Sequence, residues 1–159
     1  MNNNQQLPAT TIINETLKII CECFTGASQN GAFLEPGPTG LLDLLRSLSS
    51  ENASTPAAGT SVATHALHVE FALNAFIEWI NGERDIEYDW NKSWAKSEVT
   101  EKEWQELIQK LDEGFKQLKE AITHKSAYDQ KAAWGAAGVL AHTAYHLGAI
   151  QVKVDVLRE

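Results

Sequence analysis

The feature that most constrains this chain is an apolar stripe between residues 100 and 122, in which large hydrophobic residues recur every three or four positions. This spacing follows one face of an α-helix and differs from the two-residue period of a half-buried strand. Thr100 followed by Glu103 is a capping-box pattern, so the helix is predicted to begin at Thr100. The stripe consists of Trp104, Leu107, Leu111, Phe115, Leu118 and Ile122.

Three further segments have the same period and predict helices over residues 10–25, 61–80 and 132–157. No strand-like alternation competes with these helices. Long amphipathic helices that cannot bury their apolar faces alone pack against one another. The sequence therefore predicts an all-α protein, a four-helix bundle domain over residues 10–159, preceded by a flexible tail at residues 1–9.

Two connecting segments separate these helices. Residues 26–60 are rich in Gly, Ser, Asn and Pro and are predicted to be weakly structured, with one short helix at Leu41–Leu48. Residues 83–99 are polar and form a connection of about 17 residues between the second and third helices. A connection of this length can cross the end of a bundle, so these two helices can run parallel.

Charge and cysteine content limit the partners and the compartment. The net charge of −8 repels phosphate backbones and anionic membranes, and no run of apolar residues is long enough to span a bilayer. The N-terminus lacks the basic and apolar regions of a secretory signal. Cys21 and Cys23 point away from each other on a helix and are interpreted as buried structural thiols. We expect no nucleic-acid or membrane partner and a cytoplasmic location.

Four histidines lie in two pairs, His65 and His68 on the second predicted helix, His142 and His146 on the fourth. Positions four apart on a helix differ by only about 40°, so His142 and His146 can address one ion. Both border the buried face of their helix. Thr143 stands where a zincin protease has glutamate, which excludes that class. The alternative is a set of ordinary hydrogen-bonded histidines at helix edges.

Three segments resemble the DinB-like superfamily of metal-binding bundles. Residues 142–151, His-Thr-Ala-Tyr-His-Leu-Gly-Ala-Ile-Gln, resemble the motif of its last helix. Residues 61–71 resemble its second helix, in which a serine precedes the metal-binding histidine by seven positions. Residues 99–104 resemble the opening of its third helix. The resemblance covers about residues 61–157, and the Gly/Ser/Asn-rich segment 26–60 departs from the family.

The resemblance implies a divalent metal ion, usually zinc or nickel, on His68, His142 and His146, with His65 as the alternative third ligand. It implies four helices with a long connection between the second and third, and a homodimer. Members with known activity are thiol-dependent transferases and isomerases. We therefore expect a metal-dependent transferase or small-substrate hydrolase whose substrate is a small molecule, possibly a low-molecular-weight thiol.

The catalytic residues beyond the metal site are left open by the sequence. Three imidazoles leave a metal ion at least one open position, as in catalytic rather than structural zinc sites. Tyr145 can reach the edge of the site, but no general base can be named. Gly148 is predicted to admit a neighbouring helix, and the tryptophans to be core and loop anchors. The alternative function is a non-catalytic binding or stress-response bundle whose metal is structural or absent.

Overall fold

A computed structural model describes residues 9–158 of the chain, and the fold in that part is all-α, as predicted. No helix between these residues combines the length and hydrophobicity that a bilayer-spanning segment needs. The tail predicted at residues 1–9 lies outside the described residues except for Ala9, where α1 begins. The helices are α1 Ala9–Thr25, α2 Leu41–Arg46, α3 Ser50–Ser54, α4 Val62–Asn81, α5 Glu101–Thr123 and α6 Gln130–Arg158.

Two small elements flank α4. An antiparallel hairpin, β1 Pro56–Ala57 and β2 Thr60–Ser61, precedes it, and a 3-10 helix, Lys92–Trp94, lies in the connection that follows it. Ser61 is the N-cap of α4, where its hydroxyl accepts a hydrogen bond from an amide of the first turn. The hairpin therefore leads directly into the first turn of α4.

The four long helices bury their apolar faces against one another. α4 packs on α5 and α6, and α1 packs on the same two helices. The stripe predicted for α5 is buried from Trp104 to Ile122, and the capping box of Thr100 and Glu103 is present, so both predictions are confirmed. In α4, 14 of 20 residues are buried, so a polar side chain on this helix is enclosed and must find a partner.

The connection between α4 and α5, residues 82–100, returns along α4. The Tyr88 hydroxyl donates to the Glu78 carboxylate at 2.6 Å, near the end of α4. The Ser61 hydroxyl donates to the Ser97 carbonyl, also at 2.6 Å, at its beginning. α5 thus starts beside the start of α4, and the two helices run parallel.

Helix α6 runs antiparallel to α4. An added Cβ on Gly135 would lie 3.4 Å from Ile80, near the end of α4. Lys153 donates from Nζ to the Ala57 carbonyl at 2.6 Å, in the hairpin that precedes α4. The middle of α6, with its two histidines, therefore lies opposite the first half of α4.

The role predicted for Gly148 is wrong. A Cβ at this position would meet no atom within 4 Å, so no neighbouring helix approaches there. Gly138 is the position of close approach, since its added Cβ would lie 2.9 Å from Cε1 of Phe76 on α4. The sequence does not distinguish the two, because both glycines lie inside one long helical pattern.

The segment 26–60 has more structure than the prediction allowed. The short predicted helix is present as α2, but α3 and the hairpin were not predicted. Glu22 holds the first part of this segment: it is 8% exposed, and its carboxylate accepts hydrogen bonds from the backbone amides of Ala32, Phe33 and Leu34 at 2.6–3.0 Å. Desolvation raises the pKa of Glu22, but these hydrogen bonds outweigh it and place the pKa below its usual value.

A pair of glycine substitutions separates tight packing from helix propensity. An added Cβ on Gly40 would lie 2.6 Å from the Thr25 carbonyl carbon, and backbone atoms cannot move aside as a side chain can. We expect Gly40→Ala to lower the free energy of unfolding by about 3 kcal/mol. Gly148→Ala, in an open helical position, should raise it by about 0.5–1 kcal/mol. Urea denaturation measures both, and a Gly40→Ala midpoint equal to that of the parent would contradict the packing.

Candidate metal centre

Helices α4 and α6 bring three histidine side chains to one point. His68 lies on α4, and His142 and His146 lie one turn apart on α6. Ring nitrogens of all three lie within 4.8 Å of one another, and Nε2 of His142 is 3.0 Å from Nε2 of His68. Two ligands at about 2.0–2.1 Å from one zinc ion are roughly 3–3.5 Å apart. The closest pair therefore has the spacing of two ligands on one ion.

The structure places His65, the alternative ligand, beside this group rather than in it. Its Nδ1 atom lies 2.9 Å from Nδ1 of His146, and its Nε2 atom lies 2.9 Å from the Thr60 hydroxyl. Both ring nitrogens of His65 thus have hydrogen-bond partners. His65 is 8% exposed and lies behind His146, with no ring nitrogen assigned to the three-histidine group.

The ring of His68 is fixed by a serine that the sequence analysis did not identify. The Ser93 hydroxyl donates to the Trp90 carbonyl at 2.6 Å, which uses its only proton. Ser93 therefore accepts the hydrogen bond from Nδ1 of His68 at 2.7 Å. With its proton on Nδ1, His68 presents an unprotonated Nε2 to His142, the form in which imidazole binds metals.

Burial keeps all four clustered histidines neutral. Desolvation lowers the pKa of His65 and His142 to about 4 each, with a further contribution from nearby positive charge. It lowers the pKa of His146 to about 3, where the other three histidines add to the effect, and it also lowers the pKa of His68. Neutral imidazole is the ligand form, so no proton has to be displaced from a charged ring near pH 7.

An indole ring covers the group. Trp94, at the end of the 3-10 helix, stacks on His68 with ring centroids 4.0 Å apart, and its ring also contacts those of His65 and His146 at 5.4 and 5.6 Å. Trp94 is 39% exposed, so one part of the ring faces solvent. Its prediction as a loop anchor omitted this contact, since nothing in the polar segment 83–99 indicates a return along α4.

The remaining candidates for proton transfer lie at the edge of the group or away from it. Tyr145 is 71% exposed, and its ring lies edge-on to His146 at 5.0 Å between centroids. The Glu70 carboxylate accepts a hydrogen bond from Asn74 on the outer side of α4. The fifth histidine, His124, follows the end of α5 beside Asn81, at the other end of α4. The three-histidine group itself contains no carboxylate.

The two cysteines take no part in this group. Cys21 and Cys23 are free thiols on α1, half-buried and buried. Desolvation raises the pKa of Cys21, and it raises the pKa of Cys23 to about 12. A large open cavity of about 910 Å³ lies along α1 and residues 26–32, and its lining includes none of the clustered histidines. Chemistry at the histidines is therefore separate from this cavity.

Comparison with known proteins gives no family for the chain: no family model, curated protein or solved structure matches it.

Proposed function

We propose that the protein is a divalent-metal-dependent enzyme of the DinB-like superfamily that transfers a low-molecular-weight thiol or hydrolyses a small substrate. The observation that carries this proposal is the meeting of three neutral imidazoles, His68, His142 and His146, with two Nε2 atoms 3.0 Å apart. Such a donor set suits zinc or nickel, which bind imidazole nitrogen well. The family assignment rests on the sequence motifs quoted above.

The helix arrangement supports a four-helix bundle as part of this proposal. Each of α1, α4, α5 and α6 packs on two of the others, as helices around a common core do. The long connection between α4 and α5 and their parallel direction agree with the arrangement that the resemblance implies.

The residues around the three histidines favour a metal site with one accessible side. When bound, a divalent ion on three neutral imidazoles retains an open position, where it acidifies a thiol or water or polarises a carbonyl. Ser93 orients His68, and Trp94 excludes water from the face of the ring that it covers. Tyr145, exposed beside His146, is the protein hydroxyl placed to contact a substrate at the edge of the site.

A second candidate is a non-catalytic bundle with a structural metal ion. The observation in its favour is the cover that Trp94 forms over His68, His65 and His146, since a covered ion is less open to substrate. Under this alternative the metal raises the melting temperature and supports no turnover.

We also propose a homodimer that acts in the cytoplasm. Four large apolar side chains of α6 are exposed by 46–71% along one outward strip, and a second copy could bury them: Trp134, Tyr145, Val152 and Val156. A cytoplasmic location agrees with the two free thiols.

The proposal is tested on purified protein by metal analysis, light scattering and a turnover screen. We expect about one zinc or nickel ion per chain, a particle of twice the chain mass, and turnover of an electrophile with a small thiol that stops on chelation and returns with zinc. Bound metal without turnover of any thiol or ester substrate would favour the structural-metal alternative. Protein that binds neither ion from a buffered metal solution would contradict both.

A further inference from the structure

We infer that His65 is a positioning residue for His146: with Thr60 it forms a hydrogen-bonded relay that holds the proton of His146 on Nδ1 and leaves Nε2 free for a metal ion. The inference rests on the proposed metal site. It assigns His65 a role different from the alternative ligand that the resemblance implied.

The relay consists of two short contacts in line. Nδ1 of His146 lies 2.9 Å from Nδ1 of His65, and Nε2 of His65 lies 2.9 Å from Oγ1 of Thr60. His146 and His65 are 2% and 8% exposed, so water does not compete freely for these nitrogens. The two rings are tilted by 58° with centroids 5.2 Å apart, which is an edge contact between nitrogens rather than a stack.

The proton positions along the relay are coupled. A neutral imidazole has one nitrogen that donates and one that accepts. If His146 donates from Nδ1, His65 must accept at Nδ1, and its own proton then lies on Nε2 and is donated to Thr60. The opposite pattern places the proton of His146 on Nε2, the nitrogen that the metal needs. Only the first pattern is compatible with metal binding through Nε2.

Outer hydrogen bonds of this kind usually run from a metal-binding histidine to a carboxylate or a backbone carbonyl. On α4 the same task is divided: Ser93 accepts from His68, and His65 accepts from His146. An imidazole acceptor adds no negative charge, so the site keeps the full charge of its ion. The two relays thus orient one ligand from each helix.

The hairpin before α4 holds the far end of the relay. Thr60 lies in β2, one residue before the N-cap Ser61. Lys153, only 4% exposed, donates from α6 to the carbonyls of Ala57 and Ala58 at 2.6 and 3.1 Å, in the same hairpin. The position of Thr60 relative to α6 is therefore fixed by α6 itself.

Zinc affinity, measured by competition with a chromophoric chelator, tests the relay. His65→Leu removes the acceptor, and we expect a loss of about 10- to 100-fold. His65→Asn places an amide oxygen where Nδ1 was and should stay within about threefold of the parent. Thr60→Val should lose about fivefold, as for one ordinary hydrogen bond, and Thr60→Ser should recover it. In the cobalt form, saturated His65→Leu should keep the intensity of the visible bands, because all three ligands remain.

Equal zinc affinity in His65→Leu and the parent would overturn the relay and leave the metal site standing. A collapse of the cobalt bands in His65→Leu would also overturn it, since His65 would then be a ligand. Failure of the parent to bind zinc would reject the proposed function and metal positioning together.

Long-range proton–nitrogen NMR of the metal-free protein tests the relay without any metal. We expect His146 to carry its proton on Nδ1 in the parent and to shift toward the Nε2 form in His65→Leu. The same tautomer of His146 in both proteins would overturn the relay. His65→Asn should keep the tautomer of the parent, which separates a lost acceptor from a general disturbance of packing.

Discussion

Replacing His142 with leucine is expected to reduce bound metal from about one ion per chain to almost none. His142 supplies the nitrogen that lies 3.0 Å from Nε2 of His68, and its loss leaves only two imidazoles, on different helices. Leucine suits the half-buried position of His142 on α6, so the fold should persist. Metal analysis and zinc-dependent melting measure the effect. At zinc 100-fold above its Kd, the parent should gain about 2.7 kcal/mol and the variant almost nothing.

His124→Leu is the matched control for this variant. It removes a histidine at the other end of α4, after the end of α5, and should leave metal content and the zinc-dependent gain unchanged. Loss of metal in both variants would indicate that zinc binds histidines without regard to position. Retention of one ion per chain by His142→Leu would place the site elsewhere.

The helical elements and half of the metal site could be predicted because they depend on local spacing. Apolar residues three and four apart identify the buried face of α5, and the same geometry places His142 and His146 one turn apart on α6. These relations hold within one helix, whatever it packs against. They required no knowledge of how the helices meet.

The meeting of His68 with the α6 pair depends on the distance between two helices, which local spacing does not give. Close packing near the site requires a glycine at position 138 opposite Phe76, whereas the sequence pattern drew attention to Gly148. Phe76 in turn lies against the ring of His142, with centroids 5.6 Å apart. The choice of His68 over His65 as third ligand came from the family motif, not from the residues themselves.

The residues that orient the histidines lie in segments without periodicity. Ser93 and Trp94 reach His68 only because residues 82–100 return along α4, and Thr60 reaches His65 through a two-residue strand. Polar loops of this kind give no hydrophobic period from which a path can be predicted. A segment held by isolated hydrogen bonds is visible in a structure and not in a pattern.

Acid is expected to destabilise the metal-free protein below pH 6.5, before most of its carboxylates titrate. The unfolded chain binds protons on its histidines at the ordinary pKa of 6.5, whereas burial lowers the pKa of His65 and His142 to about 4 and of His146 to about 3 in the fold. Unfolding therefore takes up protons between these values, and lower pH favours it. The stabilisation is complete above pH 6.5 and is lost as pH falls toward 4.

The size of this effect follows from the number of protons taken up. Each buried histidine costs roughly 1.4 kcal/mol per pH unit once its unfolded form is protonated, so three or four together amount to several kcal/mol between pH 6.5 and 5. Urea denaturation of chelated protein across this range measures the slope. His65→Asn should reduce it by about one proton, because one titrating ring is removed. A free energy of unfolding that stays constant from pH 7.5 to 5 would mean that these imidazoles are protonated or open to solvent in the fold. The neutral three-histidine donor set, and the metal chemistry proposed for it, would then lose their basis.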